Sequence, residues 1–200
     1  MNASTFFEAL NKRRSLYHLD KNISLSQDQI REIVEQALLN TPAAFNLPSP
    51  RAVVLFGAPH DKLWEIAKET LRKVVPEGAF ASTEAKLASF AACAGTILYF
   101  EETRVVTGLQ EQFPLYQDNF PVWAQQENGM LQLNIWTALE LEGLGASLQH
   151  YNPLIDDAVK AEWKLPESWK FIAQMPFGNP TAGPDPKEIP SFTDRVLLFA

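Results

Sequence analysis

The chain has 200 residues, 46% of them hydrophobic and 20% charged, with a formal net charge of −7. That length suits one domain over 1–200 with a good-sized core, and the acidic balance argues against nucleic acid or a membrane surface as the main partner. Cys93 is the only cysteine, so an internal disulfide and a cysteine-based metal cluster are excluded, and His18, His60 and His150 have no metal-ligand spacing.

Residues 4–13 read as an amphipathic helix with Phe6, Phe7 and Leu10 inward. The next helix is strongly marked. Ser26 caps it, Gln29 stands three residues on as in a capping box, and Ile30, Ile33, Val34, Ala37 and Leu38 form one apolar stripe. The proline-rich stretch TPAAFNLPSPR is a loop, and AVVLFG (52–57) is a strand-length apolar run expected to be covered on both faces. A helix follows with Leu63, Ile66, Ala67 and Leu71 on one side, then another over 82–92 and a buried strand over 95–102. Cys93, set among small apolar residues, is expected to be buried and inert.

Residues 103–120 look irregular and aromatic-rich. Pro121 opens a long helix that ends near Gly143 and is apolar most of the way round, as suits a core helix or one shared with a second subunit. ASLQHY predicts a third strand, Pro153 starts a short helix, and WKFIAQMPFG predicts a fourth strand. A proline-rich tail should run extended and deliver VLLF (196–199) to the protein's own sheet or to the edge of a partner's. This order predicts an α+β sandwich around a mostly antiparallel or mixed sheet flanked by helices. No apolar run reaches signal-peptide or spanning length, and the cytoplasm is the expected compartment.

No phosphate-loop, Gly-x-Ser-x-Gly or GxGxxG motif is present, which points to a bound cofactor carrying any chemistry. Four stretches could hold one. Arg13 and Arg14, with Ser15, either complement a helix macrodipole or grip a phosphate or the polar edge of a planar ligand. Asn46 either makes a turn or pairs with an amide-like edge. Gly143 and Gly145 either stop a helix or let backbone amides approach a ligand. Lys187 and Arg195 are either solvated charges or part of the same site.

In this order the stretches resemble the FMN-dependent nitroreductase family. The similarity covers nearly the whole chain and is closest to the subgroup named after the yeast fatty-acid-repression mutant. RRSLYHL, FNLPSPRAVVLFG, LQHYNP and MPFGNP are the points of contact. The resemblance implies a homodimer with two FMN sites at its interface, each built from both chains, with the C-terminal strand exchanged. Arg13, Arg14 and Ser15 would hold the phosphate and ring edge, assisted by Lys187, and Asn46 would meet the ring from the partner chain. Leu148, Gln149 and His150 would pass beside the reactive part of the isoalloxazine, and Asn134 would be mainly structural.

Tyr17, Ser49 and Arg195 complete the expected cofactor-binding set. Two of these lie where the chain departs from the family. Most members have arginine at the position of Tyr17, and Gln-Pro-Trp in place of Pro48-Ser49-Pro50. The implied activity is a ping-pong NAD(P)H oxidoreductase acting on nitroaromatic or quinone-like acceptors, with no catalytic side chain of its own. Phe113, Tyr116, Phe120 and Trp123 are candidates for the pocket lid, or else core filler. A flavin-binding regulatory protein responsive to redox or lipid signals is the alternative, and composition alone leaves a cofactor-free ligand-binding module.

Overall fold

Alternation along residues 95–102 organises the molecule. Ile97 and Tyr99 point to one face of the central strand, and Leu98 and Phe100 to the other, as a period of two requires. The computed structural model describes residues 3–188, 191 and 195–199. Its elements are α1 (Ala3–Lys12), β1 (Leu19–Asp20), α2 (Gln27–Asn40), β2 (Pro50–Phe56), α3 (Gly57–Arg72) and α4 (Phe80–Ala91), followed by β3 (Gly95–Glu102). Then come α5 (Thr103–Gln112), α6 (Phe120–Leu141), β4 (Gly145–Ala146), α7 (Asp156–Trp163) and β5 (Trp169–Pro180). The sheet runs β1-β5-β3-β2, with β4 also paired to β5, and every pairing between these strands is antiparallel.

Helices cover both faces. On one, Ile30, Val34 and Ala37 of α2 and Leu131, Ile135 and Leu139 of α6 pack on Ile97, Tyr99, Ala173, Met175 and Phe177. On the other, α3, α4 and α7 bring Leu63, Trp64, Leu87, Phe90 and Val159 onto Leu55, Leu98, Phe100 and Phe171. His60, Trp64 and Thr96, buried on this second face, pair with one another, as low-dielectric packing demands. The His60 ring lies 2.9 Å from the Thr96 hydroxyl and 3.2 Å from the Ala91 carbonyl, and Trp64 Nε1 donates to the same hydroxyl at 3.1 Å. Burial holds His60 below its ordinary pKa, in the neutral form this network uses.

The fold is the expected α+β sandwich, and the capping box at Ser26 and Gln29 is formed. Cys93 is buried beside Leu16 and Leu19, its thiol pushed up to about 12 by desolvation. Several expectations are corrected. Phe6 and Phe7 are exposed, because α1 buries only Ala9 and leaves its larger apolar side open. β2 begins at Pro50 and is an edge strand, so Ala52, Val53 and Val54 are only half-buried. The stretch after residue 102 is not irregular. Glu102 caps α5 by accepting from the Arg104 amide at 3.1 Å, and a short turn over 114–116 leads to α6.

Of the predicted third strand over 146–151 only Ala146 pairs as a strand, together with Gly145 before it, and Gln149 adds an isolated bridge to Gln174. α6 is not wrapped in apolar contacts all round, since Met130, Leu133 and Leu141 face outward. Among the described residues Val196–Phe199 pair with no strand, and they are 73–89% exposed. Residues 189–190 and 192–194 of the tail lie outside the described set.

Candidate functional site

Immediately after α1 the chain turns onto the sheet. The Leu16 amide donates to the Ala146 carbonyl at 3.0 Å, and Ser15 bridges Ala146 in parallel register. Leu19 and Asp20 then pair with Pro180 and Asn179. This short splice fixes Arg13, Arg14, Ser15 and Tyr17 around a cleft of about 270 Å3, and the tail beyond β5 closes it with Asp185 and Lys187. Arg14 Nη2 donates to the Asp185 carbonyl at 2.6 Å. The Arg13 guanidinium lies over the Trp136 ring, 4.4 Å from its centroid, an arrangement that orients the planar fork. Its Nε is buried with no hydrogen-bond partner among the described residues. Desolvation, and next the charge of Arg14, lower the pKa of Arg13, while Glu140 opposes them.

The segment leaving β4 runs along the sheet. Gln149 is buried and exchanges backbone hydrogen bonds with Gln174 at 2.7 and 2.9 Å, and its amide nitrogen donates to Ser147 Oγ at 3.0 Å. Leu148 is half-buried against the α2–α6 core, and His150 is exposed. Asn134 donates to Thr41 Oγ1 at 2.9 Å and so ties α6 to the end of α2.

The second concentration of predicted residues lies at the other end of α6. Phe113, Tyr116, Phe120 and Trp123 gather around Phe45, a ring that the sequence reading missed. Phe120 is wholly buried with Leu47, Val106 and Ala124, so it is core rather than lid; the other three rings keep open surface. Asn46 is exposed beside Phe45, and both have positive φ. Trp123 and Trp136 stand thirteen residues apart on α6, about 20 Å along its axis. Within one chain, then, the arginine cleft and the aromatic cluster do not meet.

Two predicted residues are placed elsewhere. Arg195 is exposed in the tail and does not line the cleft. Ser49 is wholly buried, donating from Oγ to Glu127 Oε2 at 3.3 Å while its carbonyl accepts from the Glu102 amide at 2.8 Å. Glu127, on α6, is 5% exposed, and desolvation pushes its carboxyl up to about 7; Ser49 and Arg51 oppose the shift, and Glu101 adds to it. Arg51 gives no direct ion pair, because its Nη1 donates to the carbonyls of Pro48 at 2.7 Å and Pro50 at 2.9 Å.

A carboxyl whose folded pKa lies above its unfolded value stabilises the fold fully below about pH 4.5, and that contribution is lost as pH rises through about 7. Glu127→Gln keeps the shape without the titration. The variant should therefore gain on the wild type by roughly 1–3 kcal/mol between pH 5 and pH 8. Thermal denaturation of both proteins at the two pH values checks this; a constant difference in melting temperature would contradict it.

Among the described residues no group of three or more His, Cys, Asp or Glu could hold a metal ion, and no helix is long and apolar enough to cross a membrane. Residues 10–179 match the model of the nitroreductase family. Two relatives from Saccharomyces cerevisiae align over most of their own length and of this chain. HBN1 is 35% identical over 92% of each, and the nitroreductase FRM2 is 33% identical over 96% of this chain and 95% of its own. The nitroreductase CinD of Lactococcus lactis, solved in complex with chloramphenicol, superposes with a TM-score of 0.90 at 44% identity, covering 98% of this chain and all of that one. Its complex with 4-nitrophenol gives 0.89 at 45% identity, with the same coverage. With family match, relatives and fold in agreement, the chain belongs to the nitroreductase family.

Proposed function

We propose that the chain is a cytoplasmic FMN-dependent NAD(P)H oxidoreductase that reduces nitroaromatic or quinone-like acceptors and works as a homodimer. The observation that carries this reading is the convergence of Arg13, Arg14, Ser15, Tyr17 and Lys187 on one cleft in a chain of net charge −7. Two guanidiniums, an ammonium and two hydroxyls form a donor set suited to a phosphate dianion. Arg13 Nε, buried and without a partner among the described residues, is a donor this fold leaves unsatisfied. FMN held there would supply the hydride-transfer chemistry between NAD(P)H and the acceptor.

The chain's own residues bind, orient and exclude water. Arg13, Arg14 and Lys187 would meet the charged end, with Trp136 holding the Arg13 plane. The Leu148–His150 segment, pinned to β5 through Gln149, would border the ring and could offer it backbone donors. Because cleft and aromatic cluster are about 20 Å apart along one helix, a complete pocket takes the cluster and Asn46 from a second, two-fold-related chain. The outward Phe6, Phe7, Met130, Leu133 and Leu141 supply apolar surface for that contact, and Val196–Phe199 supply a strand for the open edge of β2. The CinD complexes support nitroaromatics as the acceptor class.

Purified protein should be yellow, with flavin absorption bands that NAD(P)H bleaches in stopped flow and a nitroaromatic restores. Colourless protein that stays colourless with added FMN would overturn the reading. Sluggish bleaching of a tightly held flavin would support a regulatory flavoprotein in its place.

A further inference from the structure

Gln174 is out of keeping with its surroundings. It lies opposite Leu98 in the sheet and is wholly buried, on the face that otherwise carries Leu55, Leu98, Phe100 and Phe171. Its neighbours Ala173 and Met175 point to the other face. A buried primary amide is unfavourable unless its hydrogen bonds are made, and these are made to a single segment. Gln174 Oε1 accepts from the Tyr151 amide at 2.9 Å, and its Nε2 donates to Asn152 Oδ1 at 2.8 Å. Asn152 Nδ2 in turn donates to Asp156 Oδ1, in the first turn of α7, at 2.9 Å.

An ionised carboxylate only accepts, and that fixes the direction of the whole chain. Asp156 draws the Asn152 amino group, Asn152 turns its oxygen to Gln174, and Gln174 turns its own oxygen to Tyr151. Burial raises the Asp156 pKa, Asn152 and Lys160 act against the shift, and Asp157 adds to it. The α7 macrodipole accounts for an acid at this position. It does not account for a wholly buried glutamine joined to that acid through Asn152.

The backbone shows what the chain holds in place. The amides of Ser147 and Gln149 donate to the carbonyls of Pro176 at 3.2 Å and Gln174 at 2.7 Å. Tyr151 takes the Gln174 side chain where a ladder would supply a further β5 carbonyl. Alternation along an extended segment therefore turns the Leu148 and His150 amides away from β5. That is the side on which the Ala146 carbonyl accepts from Leu16, next to Ser15 and the arginine cleft.

We propose that Gln174 and Asp156 are positioning residues for the flavin, the one-way chain from the Asp156 carboxylate through Asn152 and Gln174 to the Tyr151 amide keeping the Leu148 and His150 amides aimed at the ring. The proposal rests on the electron-transfer reading above and adds to it the residues that set the ring donors. Fixed donors there stabilise charge that develops on the ring during reduction, so loosening them makes bound FMN harder to reduce.

The test uses the full-length protein and two variants at about pH 8, where the Asp156 carboxyl is ionised. Gln174→Met keeps unbranched bulk and removes both side-chain hydrogen bonds. Asp156→Asn keeps the shape but lets the chain reverse, since an amide also donates. The readouts are hydrogen exchange of the Tyr151 amide without FMN, the reduction potential of bound FMN, and equilibrium binding of FMN and of inorganic phosphate. In both variants Tyr151 should exchange about tenfold faster, and FMN should bind about three- to tenfold more weakly, at a lower potential. Inorganic phosphate, which probes the arginine cleft alone, should bind as it does to the wild type. Unaltered exchange or unaltered potential in Gln174→Met would overturn the proposal, and so would equal loss of phosphate and FMN, the mark of general damage. A wild-type protein that takes up no FMN would overturn the electron-transfer reading, and this assignment with it, even where Tyr151 exchange still depends on Gln174.

Discussion

A chain carrying Arg13→Ala and Arg14→Ala is expected to lose FMN, with Kd raised on the order of a thousandfold. Each charge-assisted hydrogen bond to an ionised group contributes about 1.5–3 kcal/mol, and each 1.4 kcal/mol is tenfold in affinity. The effect falls on the ligand more than on the fold. Arg14 contacts the protein through one bond to the Asp185 carbonyl, and Arg13 through its position over Trp136. Losing that cation–π contact costs about 0.5–1 kcal/mol. Fluorescence titration of FMN, with circular dichroism melting as a control, reads the two effects separately. Arg13→Lys with Arg14→Lys should fall between, since charge is kept and the bidentate fork is lost. A double alanine variant that holds FMN as tightly as the wild type would remove the basis of the proposed cofactor site.

Gly178→Ala is expected to be strongly destabilising for the addition of a single methyl. A Cβ there would stand 2.5 Å from the Asp20 carbonyl oxygen and 3.2 Å from the Ala94 amide nitrogen. Both are backbone atoms, so relief requires β1 to lift from β5 rather than a side chain to turn aside. Overpacking of this kind costs about 3 kcal/mol, equivalent to a melting temperature lower by roughly 10 °C in a chain of this size. Because β1 is the anchor that follows Arg13, Arg14 and Ser15, affinity for FMN should fall as well. Gly145→Ala is the milder comparison, since its Cβ would meet the side chains of Leu19 at 2.6 Å and Leu16 at 2.8 Å, which can repack. Thermal melts and FMN titration of both variants check this. A Gly178→Ala protein melting within about 2 °C of the wild type would refute the close-approach argument.

What could be read from sequence was what local chemistry decides. The run 95–102, the capping box at Ser26 and the start of the long helix beside Pro121 depend on neighbours in the chain, and each is found where it was expected. β1 and β4, two residues each, exist only because β5 lies beside them, and no pattern of two residues can declare that. α5 was hidden because its cap is the last residue of a strand and its first turns carry Val105, Val106 and Thr107, which disfavour helix until packing decides. Phe6 and Phe7 show a different limit: periodicity finds the apolar side of a helix without saying whether one chain can cover it.

The site divides in the same way. Arg13, Arg14, Ser15 and Lys187 could be singled out by resemblance, yet the approach of Lys187 to Arg14 spans most of the chain and leaves no local trace. Ser49 was read toward the cofactor because its loop was, but its hydroxyl turns inward to Glu127. Phe45 was passed over since a left-handed phenylalanine has no signature in sequence; the nearest clue was an aromatic residue in an otherwise small and polar proline loop.

α6 works as a ruler. One of its tryptophans seats a guanidinium and the other seats a phenyl ring, so their relative aim is written in the residue count between them. Each residue of helix advances about 1.5 Å and turns about 100°. Inserting or deleting a single position between 123 and 136 would rotate one seat by more than a quarter turn against the other. Side chains in that stretch can change without re-aiming the two seats, while its length is not free to change at all.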